Sequence, residues 1–385
     1  MESEMKKIGI LAFGDPKGGG VYQYTRSIID VITQDKNNTY IVFTDANNDS
    51  FDEYNIEIRK INKPNIFILN KLIRFLQILL LIRKPFFFTK SEKDVFLDID
   101  KFICPVISLY PHFYLNKPFV FTLHDMQERY YPYFFTLRDK VIRLLNNRSL
   151  SKTADKILCE SQFVKSDIIK FLGADPNKVH VVQSPPPKCF NSSTIDENLY
   201  KTIKAKYNLP EEYIFYPAQF WPHKNHIKLL EAFGIVKKEF KDLKLVFTGS
   251  KQNNFQNVDR RIQELQLEND IVYLGYIDYS DLPFLYKMSK FLVMPTLFES
   301  ISIPIYEAFS LKVAVCCSNV VALPEQVGEA GLLFDPNNEN DIAKKMIMYL
   351  SNNKLLTEKA EQGYLKINSF DYEAYKKSIL EIINS

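Results

Sequence analysis

Short apolar runs alternate with amphipathic segments along this chain, and the alternation predicts a parallel α/β fold. The first run, at residues 6–13, precedes a glycine-rich loop and a segment in which Val21, Tyr24, Ile28 and Ile32 recur near helical spacing. Further apolar runs of strand length lie at residues 118–123, 155–160, 178–183, 212–217, 243–249, 271–276, 290–295 and 312–318. Strands that alternate with helices are typical of doubly wound parallel sheets.

Three successive prolines divide this pattern into two halves. They lie within residues 184–188, and a polar run follows before the alternation restarts. We therefore expect an N-terminal Rossmann-like domain over residues 1–184 and a C-terminal one over residues 200–365, facing each other across a cleft. The remaining helical segment, residues 366–385, could pack back on the N-terminal domain. A length of 385 residues agrees with two domains.

One apolar stretch, residues 66–82, approaches the length of a membrane span. Lys71 and Arg74 interrupt it, so a spanning helix is disfavoured. The surrounding region, residues 57–95, carries nine basic side chains against three acidic ones. This composition suits association with the surface of an anionic membrane, or else a buried crossover helix with charges at its rim.

The composition limits which partners the protein could bind and the compartment in which it is expected. A net charge of +3 is too small to indicate nucleic-acid binding. The five cysteines have no CxxC pair and no metal-ligand spacing, and an odd number does not fit a secreted disulfide framework. The first apolar run is too short for a signal peptide. We therefore expect a cytoplasmic protein, peripheral on the inner face of the membrane if residues 57–95 bind lipid.

Two glutamates lie eight residues apart on either side of a proline. On one continuous helix Glu299 and Glu307 would be roughly 12 Å apart, too far for the carboxylate pair of a retaining glycosidase. Pro304 instead favours a helix that begins beside it, with Glu307 one turn inside and Glu299 on the preceding loop. The amides of residues 300–305 would then attract an anion.

A nucleotide sugar matches this arrangement, because it has a diphosphate between two polyols. The alternative is that Glu307 only complements the helix dipole while Glu299 is solvated.

Polar residues at other strand ends add to this site, since ligands of open parallel sheets bind beyond the carboxyl ends of the strands. Gly18–Gly20 would let backbone amides approach a phosphate or a sugar. His124, followed by Asp125, could donate to a sugar hydroxyl or phosphate, and Lys224 could neutralise a leaving diphosphate. The alternatives are a flexible turn, a turn histidine beside a helix cap, and a surface lysine.

An Asp-x-Asp pair, Asp98 and Asp100, follows another apolar run. This pattern looks like the metal site of the other major nucleotide-sugar transferase fold, although the motif is short and frequent by chance.

Several segments resemble the family 4 retaining glycosyltransferases, which have the two-Rossmann GT-B architecture. The segment FESISIPIYEAFSLKVAVCCSNVVALPEQVGEAGLLFDP is similar to their donor-binding core. Other matching segments are GGGVYQYT, TLHDMQERYYPYFF, ESQFVKSDI, YPAQFWPHKNHIKLLEAF, LVFTGS and VYLGYIDYSDLPFLYKMSK, in the order of the family. The resemblance covers nearly the whole chain and is loose only from about residue 50 to 95.

The resemblance implies specific roles for the candidate residues. Glu299 would hold hydroxyls of the donor sugar, and Glu307 would hold the nucleotide ribose. Lys224 would bind the diphosphate, with His124 beside the transferred sugar, so the implied catalytic residues are His124, Lys224 and Glu299. The implied donor-binding residues are Gly19, Gly20, Gln219, Lys224, Tyr276, Ile277, Glu299, Ser300, Ile301, Ser302, Ile303 and Glu307. Such enzymes typically need no divalent metal or other cofactor, and the leaving phosphate takes the acceptor proton with retention.

Three positions depart from the family pattern. Gln219 stands where arginine is frequent, Ser302 stands where glycine is common, and residues 311–313 replace a frequent Gly-x-Pro turn. We expect a retaining hexosyltransferase that transfers a hexose from a nucleotide diphosphate sugar to a glycan or lipid-linked acceptor in surface-polysaccharide assembly. Mannose from GDP-mannose is the favoured donor. Two alternatives stay open: a catalytically weakened nucleotide-sugar-binding protein, and a nucleotide-sugar epimerase on the same fold.

Overall fold

The computed structural model describes residues 5–13, 19–61, 68–82, 94–108, 116–186 and 199–384. The chain divides into two compact units, which are Met1–Pro185 together with Asp371–Ser385, and Pro186–Phe370. Each unit contains its own parallel sheet with flanking helices, which confirms the predicted α/β class.

Within the described residues, the first unit has a seven-stranded parallel sheet in the order β3-β2-β1-β4-β5-β6-β7. Its strands are Lys7–Leu11 (β1), Thr39–Asp45 (β2), Glu57–Ile61 (β3), Lys101–Cys104 (β4), Phe119–Thr122 (β5), Lys156–Cys159 (β6) and Val179–Val181 (β7). Its helices up to residue 186 are Gly20–Ile32 (α1), Ile68–Leu80 (α2), Leu137–Thr153 (α3) and Gln162–Leu172 (α4). The strand order reverses between β1 and β4, and the central strands are buried because helices flank the sheet.

Local signals fix the limits of the helices. Thr136 and Asp139 form a reciprocal capping box at the start of α3. Ser161 caps α4, which ends at Gly173 in the left-handed conformation that glycine adopts without steric cost. In the part of the chain that the structure describes, no helix is long and apolar enough to cross a membrane, and α2 covers only 13 residues of the long apolar run.

The second unit has a six-stranded parallel sheet, ordered β10-β9-β8-β11-β12-β13 over the described residues. Its strands are Tyr213–Pro217 (β8), Lys244–Thr248 (β9), Ile271–Tyr273 (β10), Leu292–Met294 (β11), Val315–Ser318 (β12) and Gly331–Phe334 (β13). Its helices are Leu199–Lys206 (α5), His226–Val236 (α6), Phe255–Glu264 (α7), Leu282–Met288 (α8), Ile303–Ser310 (α9), Leu323–Val327 (α10), Glu339–Ser351 (α11) and Asn353–Asn368 (α12). The order reverses between β8 and β11, which is where a doubly wound sheet opens a crevice for ligands.

The last helix, Tyr372–Asn384 (α13), belongs to the first unit. The hydroxyls of Tyr375 and Ser27 are 2.8 Å apart, which joins α13 to α1. Lys101 Nζ on β4 donates to the carbonyl oxygen of Ile383 at 2.8 Å. The chain therefore returns to the first sheet after completing the second.

A glycine in α12 permits close packing against α9. A Cβ atom built on Gly363 would lie 2.2 Å from Cδ1 of Phe309, a buried aromatic residue of α9. Gly363→Ala is therefore expected to lower the free energy of unfolding by about 1–3 kcal/mol through overpacking. Chemical denaturation would measure this loss.

Gly234, inside α6, is the matched control because a Cβ there would meet nothing within 4 Å. Gly234→Ala should leave stability unchanged or raise it by up to about 1 kcal/mol through helix propensity. Equal stability of the two alanine variants would contradict the packing argument.

Candidate active site

The structure brings Lys224 and Glu299 together at the point where the second sheet reverses its strand order. Lys224 lies on the loop after β8, and Glu299 lies on the loop after β11. The Lys224 Nζ and Glu299 Oε2 atoms are 2.5 Å apart, and each side chain is 17% exposed. The ammonium and the carboxylate therefore form a partly buried ion pair at a position typical of ligand sites.

Backbone contacts hold the two loops against each other. The amide of Leu297 donates to the carbonyl oxygen of His223 at 2.7 Å, and the Tyr216 hydroxyl donates to that of Lys224 at 2.6 Å. Asn225 adopts a left-handed conformation, and its Nδ2 donates to the carbonyl oxygens of Pro295 and Pro336 at 3.0 and 2.8 Å. The ion pair is thus preorganised by its supporting loops.

The helix predicted to begin beside Pro304 is α9, which starts at Ile303 with Ser302 as its N-cap. Ser302 is fully buried, its amide donates to Gln326 Oε1 at 2.9 Å, and Gln326 Nε2 donates back to its carbonyl oxygen at 2.7 Å. The amide of Ile305 donates to Ser302, and proline has no N–H. The predicted anion-binding amides are therefore reduced to those of Ser300, Ile301 and Ile303.

Glu307 lies one turn inside α9 and is 4% exposed. The hydroxyl of Tyr286, on α8, donates to its Oε2 at 2.6 Å. Burial raises the pKa of Glu307 to about 7, although hydrogen bonds from Tyr286 and Tyr279 lower it. The carboxyl group is therefore balanced between its neutral and ionised forms near neutral pH.

The remaining predicted residues of the second unit lie around two turns with positive φ. Gly249 follows β9 at φ 119°, and a Cβ atom there would lie 2.7 Å from the carbonyl oxygen of Ala218. Gln219 follows Ala218, and its Oε1 accepts from Trp221 Nε1 at 2.9 Å. After Gly275, at φ 72°, Tyr276 is 67% exposed whereas Ile277 is buried.

In the first unit, Gly19 and Gly20 lie at the start of α1 and His124 lies just after β5. Gly18 lies outside the described residues. His124 Nδ1 is 2.9 Å from Glu160 Oε2, and its Nε2 is 2.8 Å from the carbonyl oxygen of Pro105. Both ring nitrogens thus already have partners within the unit.

Basic side chains and a backbone amide hold the two aspartates of the Asp-x-Asp pair. Asp98 accepts two hydrogen bonds from the guanidinium of Arg59, at 2.7 and 2.9 Å, and one from Lys7 Nζ at 3.2 Å. The bonds from Arg59 hold the pKa of Asp98 well below its usual range. Asp100 accepts from the backbone amide of Lys7 at 2.9 Å. Over the residues with described positions, no cluster of three or more His, Cys, Asp or Glu side chains could hold a metal ion.

Three residues that bind candidate groups within their own units were not marked by the sequence patterns. Gln326 fixes the turn into α9, Tyr286 binds Glu307, and Glu160 binds His124. Each is more than twenty residues from its partner in sequence, so only the fold brings the pair together.

Comparisons with known proteins agree with the fold. Residues 18–185 match Glycosyltransferase Family 4, and residues 200–383 match Glycosyl transferases group 1. The chain is 29% identical over 275 residues to the O-antigen chain mannosyltransferase B of Escherichia coli, covering 68% of this chain and 70% of that protein. It also matches the longer E. coli serotype-specific mannosyltransferase WbdA, of which it spans only 28%.

Another relative aligns over almost the full length. It is N-acetylgalactosamine-N,N'-diacetylbacillosaminyl-diphospho-undecaprenol 4-alpha-N-acetylgalactosaminyltransferase of Campylobacter jejuni, 22% identical over 384 residues, with 95% of this chain and 96% of that protein covered. The crystal structure of Anabaena Alr3699/HepE in complex with UDP and glucose superposes with a TM-score of 0.76 at 15% identity, covering 99% and 100% of the two chains. The chain therefore belongs to the GT-B glycosyltransferases, with a glycosyltransferase family 4 region followed by a glycosyl transferases group 1 region.

Proposed function

We propose that this glycosyltransferase moves mannose from GDP-mannose to a glycan or lipid-linked acceptor, with retention of the anomeric configuration. The observation that carries this proposal is the Lys224–Glu299 ion pair at the strand-order reversal, beside the N-terminus of α9. A nucleotide diphosphate sugar supplies a partner for each of these groups. The diphosphate would replace Glu299 as the partner of the Lys224 ammonium. The Glu299 carboxylate would then accept hydrogen bonds from hydroxyls of the sugar.

Catalysis would rest on stabilising the charge that develops on the diphosphate. As the glycosidic C–O bond breaks, the Lys224 ammonium and the Ser300, Ile301 and Ile303 amides stabilise the leaving oxygens. The acceptor hydroxyl attacks from the same face and passes its proton to the departing phosphate oxygen. This route needs neither a carboxylate nucleophile nor a divalent cation.

Glu307 would orient the nucleotide by accepting hydrogen bonds from the two ribose hydroxyls, which requires its ionised form. The backbone near Tyr276 and Ile277 would contact the base. The names of the E. coli relatives support mannose, and that of the C. jejuni relative supports an acceptor linked to a lipid diphosphate. Because the Anabaena protein binds UDP, the test also includes UDP-sugars as donors.

A donor screen tests this proposal. Thermal stability of the full chain would be measured with GDP-mannose, UDP-glucose and other nucleotide sugars, followed by transfer assays with membrane extracts as acceptor. We expect GDP-mannose to stabilise and to give a product with retained configuration, at a rate that EDTA leaves unchanged. Binding without product from any donor would favour the weakened binding protein, and an altered free nucleotide sugar would favour the epimerase.

Donor affinity is expected to fall as the pH drops below about 7. The pKa of Glu307 is raised to about 7, and ribose hydroxyls donate to its ionised form, so protonation at lower pH competes with binding. The dissociation constant should rise about tenfold per pH unit below that value. Calorimetry with an intact nucleotide sugar between pH 5 and 8 would measure this, because a free diphosphate titrates in the same range.

Glu307→Gln is the control for this pH series, since its amide does not titrate. Its weaker binding should be independent of pH over the same range. A wild-type dissociation constant that stays flat from pH 8 to pH 5 would contradict the ribose assignment.

We also propose that the first unit binds an anionic bilayer through α2 and α3. On α2, Phe75, Leu76, Leu79 and Leu80 are exposed, and α3, which contacts α2, exposes Leu137, Val141, Ile142 and Leu144. Helix α3 carries five basic residues against one acidic residue, Asp139, which is engaged in the capping box. Exposed apolar side chains among basic ones match the interface of a negatively charged membrane.

Vesicle binding should depend on this surface. The double variant Leu79→Glu/Leu80→Glu is expected to lower binding to anionic vesicles at least about tenfold, because it places charge at the acyl boundary. Co-sedimentation would measure this, with neutral vesicles for comparison. Leu365→Glu, at an exposed leucine of the second unit, is the control that should bind like the wild type. Equal binding of all three proteins would contradict the surface.

A further inference from the structure

A buried carboxylate in the first unit connects the ends of three neighbouring strands. Glu160 follows β6 directly and is 6% exposed. Its Oε2 contacts Nδ1 of His124, just beyond β5, at 2.9 Å. Its Oε1 accepts from the hydroxyl of Ser184, beyond β7. Both carboxylate oxygens are thus engaged at the edge of the sheet where ligands of this fold bind.

The partners of His124 define its protonation. A neutral imidazole donates through only one ring nitrogen. Here Nε2 faces the carbonyl oxygen of Pro105, which only accepts, and Nδ1 faces Glu160, which accepts when ionised. Because a carboxyl group is the stronger acid, the shared proton rests on the imidazole. Both contacts are then satisfied together by an imidazolium paired with a carboxylate.

The surroundings reinforce this charge state. Burial lowers the pKa of His124. Its pKa nevertheless lies above the ordinary value, because three neighbours raise it: Glu160 through a hydrogen bond and its charge, the carbonyl oxygen of Pro105, and the charge of Asp125. Asp125 is itself paired with Arg143 of α3 at 2.6 Å, which leaves Glu160 as the main counter-ion. From α1, the ring of Tyr24 lies perpendicular to that of His124 with 4.9 Å between centroids, and its hydroxyl is 2.9 Å from that of Thr122.

We propose that Glu160 is a positioning residue that holds His124 as a fixed imidazolium. On this proposal the transfer step depends on the positive charge of His124, which Glu160 maintains. Its side chain is 17% exposed, so His124 is not fully buried although both ring nitrogens are engaged. The inference rests on the proposed function for the consequence in catalysis, whereas the charge state follows from the first unit alone.

The same carboxylate anchors the chain where it leaves the first unit. Ser184 is followed by Pro185, the last residue of the N-terminal segment of that unit. Removing only the Ser184 hydroxyl therefore separates the anchoring contact of Glu160 from its charge pairing with His124. This makes Ser184→Ala a matched control for Glu160→Gln.

The charge state is tested by nitrogen NMR of the full chain labelled in histidine, with His124→Gln used to assign the signal among the five histidines. We expect both ring nitrogens of His124 to be protonated at pH 7 in the wild type and in Ser184→Ala. Glu160→Gln should lower the titration midpoint of His124 by at least one pH unit. A wild-type His124 that is neutral at pH 7 would overturn the proposal whether or not the protein transfers mannose.

The catalytic consequence is tested by pH–rate profiles of the same variants. If the imidazolium form of His124 is needed, kcat/KM falls as the pH rises through the pKa of His124. Glu160→Gln should therefore move the alkaline limb of the kcat/KM profile to lower pH, by the same amount as the His124 titration midpoint measured by NMR. The loss of kcat/KM in Glu160→Gln, relative to the wild type, should therefore be larger at pH 8 than at pH 6. Glu160→Asp keeps the charge and should bring the alkaline limb part of the way back toward its wild-type pH. A deficit of equal size at every pH would assign Glu160 a structural role only. A wild type without transfer at any pH would refute the proposed function and leave the NMR result standing.

Discussion

Lys224→Ala is expected to lower kcat by at least about a hundredfold, with a smaller effect on KM. The ammonium is held at the end of β8 by the contacts of its loop, so it needs little reorganisation when charge develops on the leaving diphosphate. Removing one preorganised charge of this kind costs about 3 kcal/mol in the transition state. Steady-state kinetics with saturating donor would measure the loss.

Two substitutions separate this effect from a change in folding or surface charge. Lys228, on the first turns of α6, pairs with Glu231 and Glu339, and Lys228→Ala should keep near wild-type activity. Lys224→Arg keeps the charge but changes its geometry and should recover part of the rate. If Lys224→Ala turned over donor like the wild type, the lysine would have no part in the transfer step.

Most inner strands of the two sheets were predicted because they are apolar and buried, whereas the buried strands β2 and β4 were not. Residues 119–122 and 292–294 are buried throughout, and each gives a continuous apolar run. The edge strand β3, with the sequence EIRKI, is half exposed and leaves no such run. Residues 95–98 form a turn that buries Phe96, and β4 begins only at Lys101.

The positions of candidate residues were predictable where those residues follow a strand directly. Lys224 and Glu299 could be identified because they follow β8 and β11, and the structure shows that these strands are neighbours across the order reversal. The sequence could not show that Ser302 donates its amide to Gln326, because that contact depends on how α10 packs beside α9. It likewise placed His124 at a strand end without revealing that both ring nitrogens are engaged.

Glu307→Ala is expected to weaken donor binding at least about a hundredfold while changing kcat less. The ionised carboxylate would accept hydrogen bonds from two ribose hydroxyls, and a hydrogen bond to a charged group is worth about 1.5–3 kcal/mol. Ribose contacts are the same in the ground state and the transition state, so their loss appears mainly as weaker binding. Calorimetry at pH 8, where the wild-type group is ionised, would measure it.

The buried partner of Glu307 supplies the sharper control. Alanine leaves the hydroxyl of Tyr286 without its acceptor, which costs stability independently of the donor. Tyr286→Phe removes that hydroxyl but keeps the carboxylate, so it should retain donor affinity within about tenfold. It should also raise the pH at which binding is lost, because the bond from Tyr286 lowers the pKa of Glu307. If Glu307→Ala kept its donor affinity and Tyr286→Phe lost it, the ribose contact would be assigned to Tyr286 instead of Glu307.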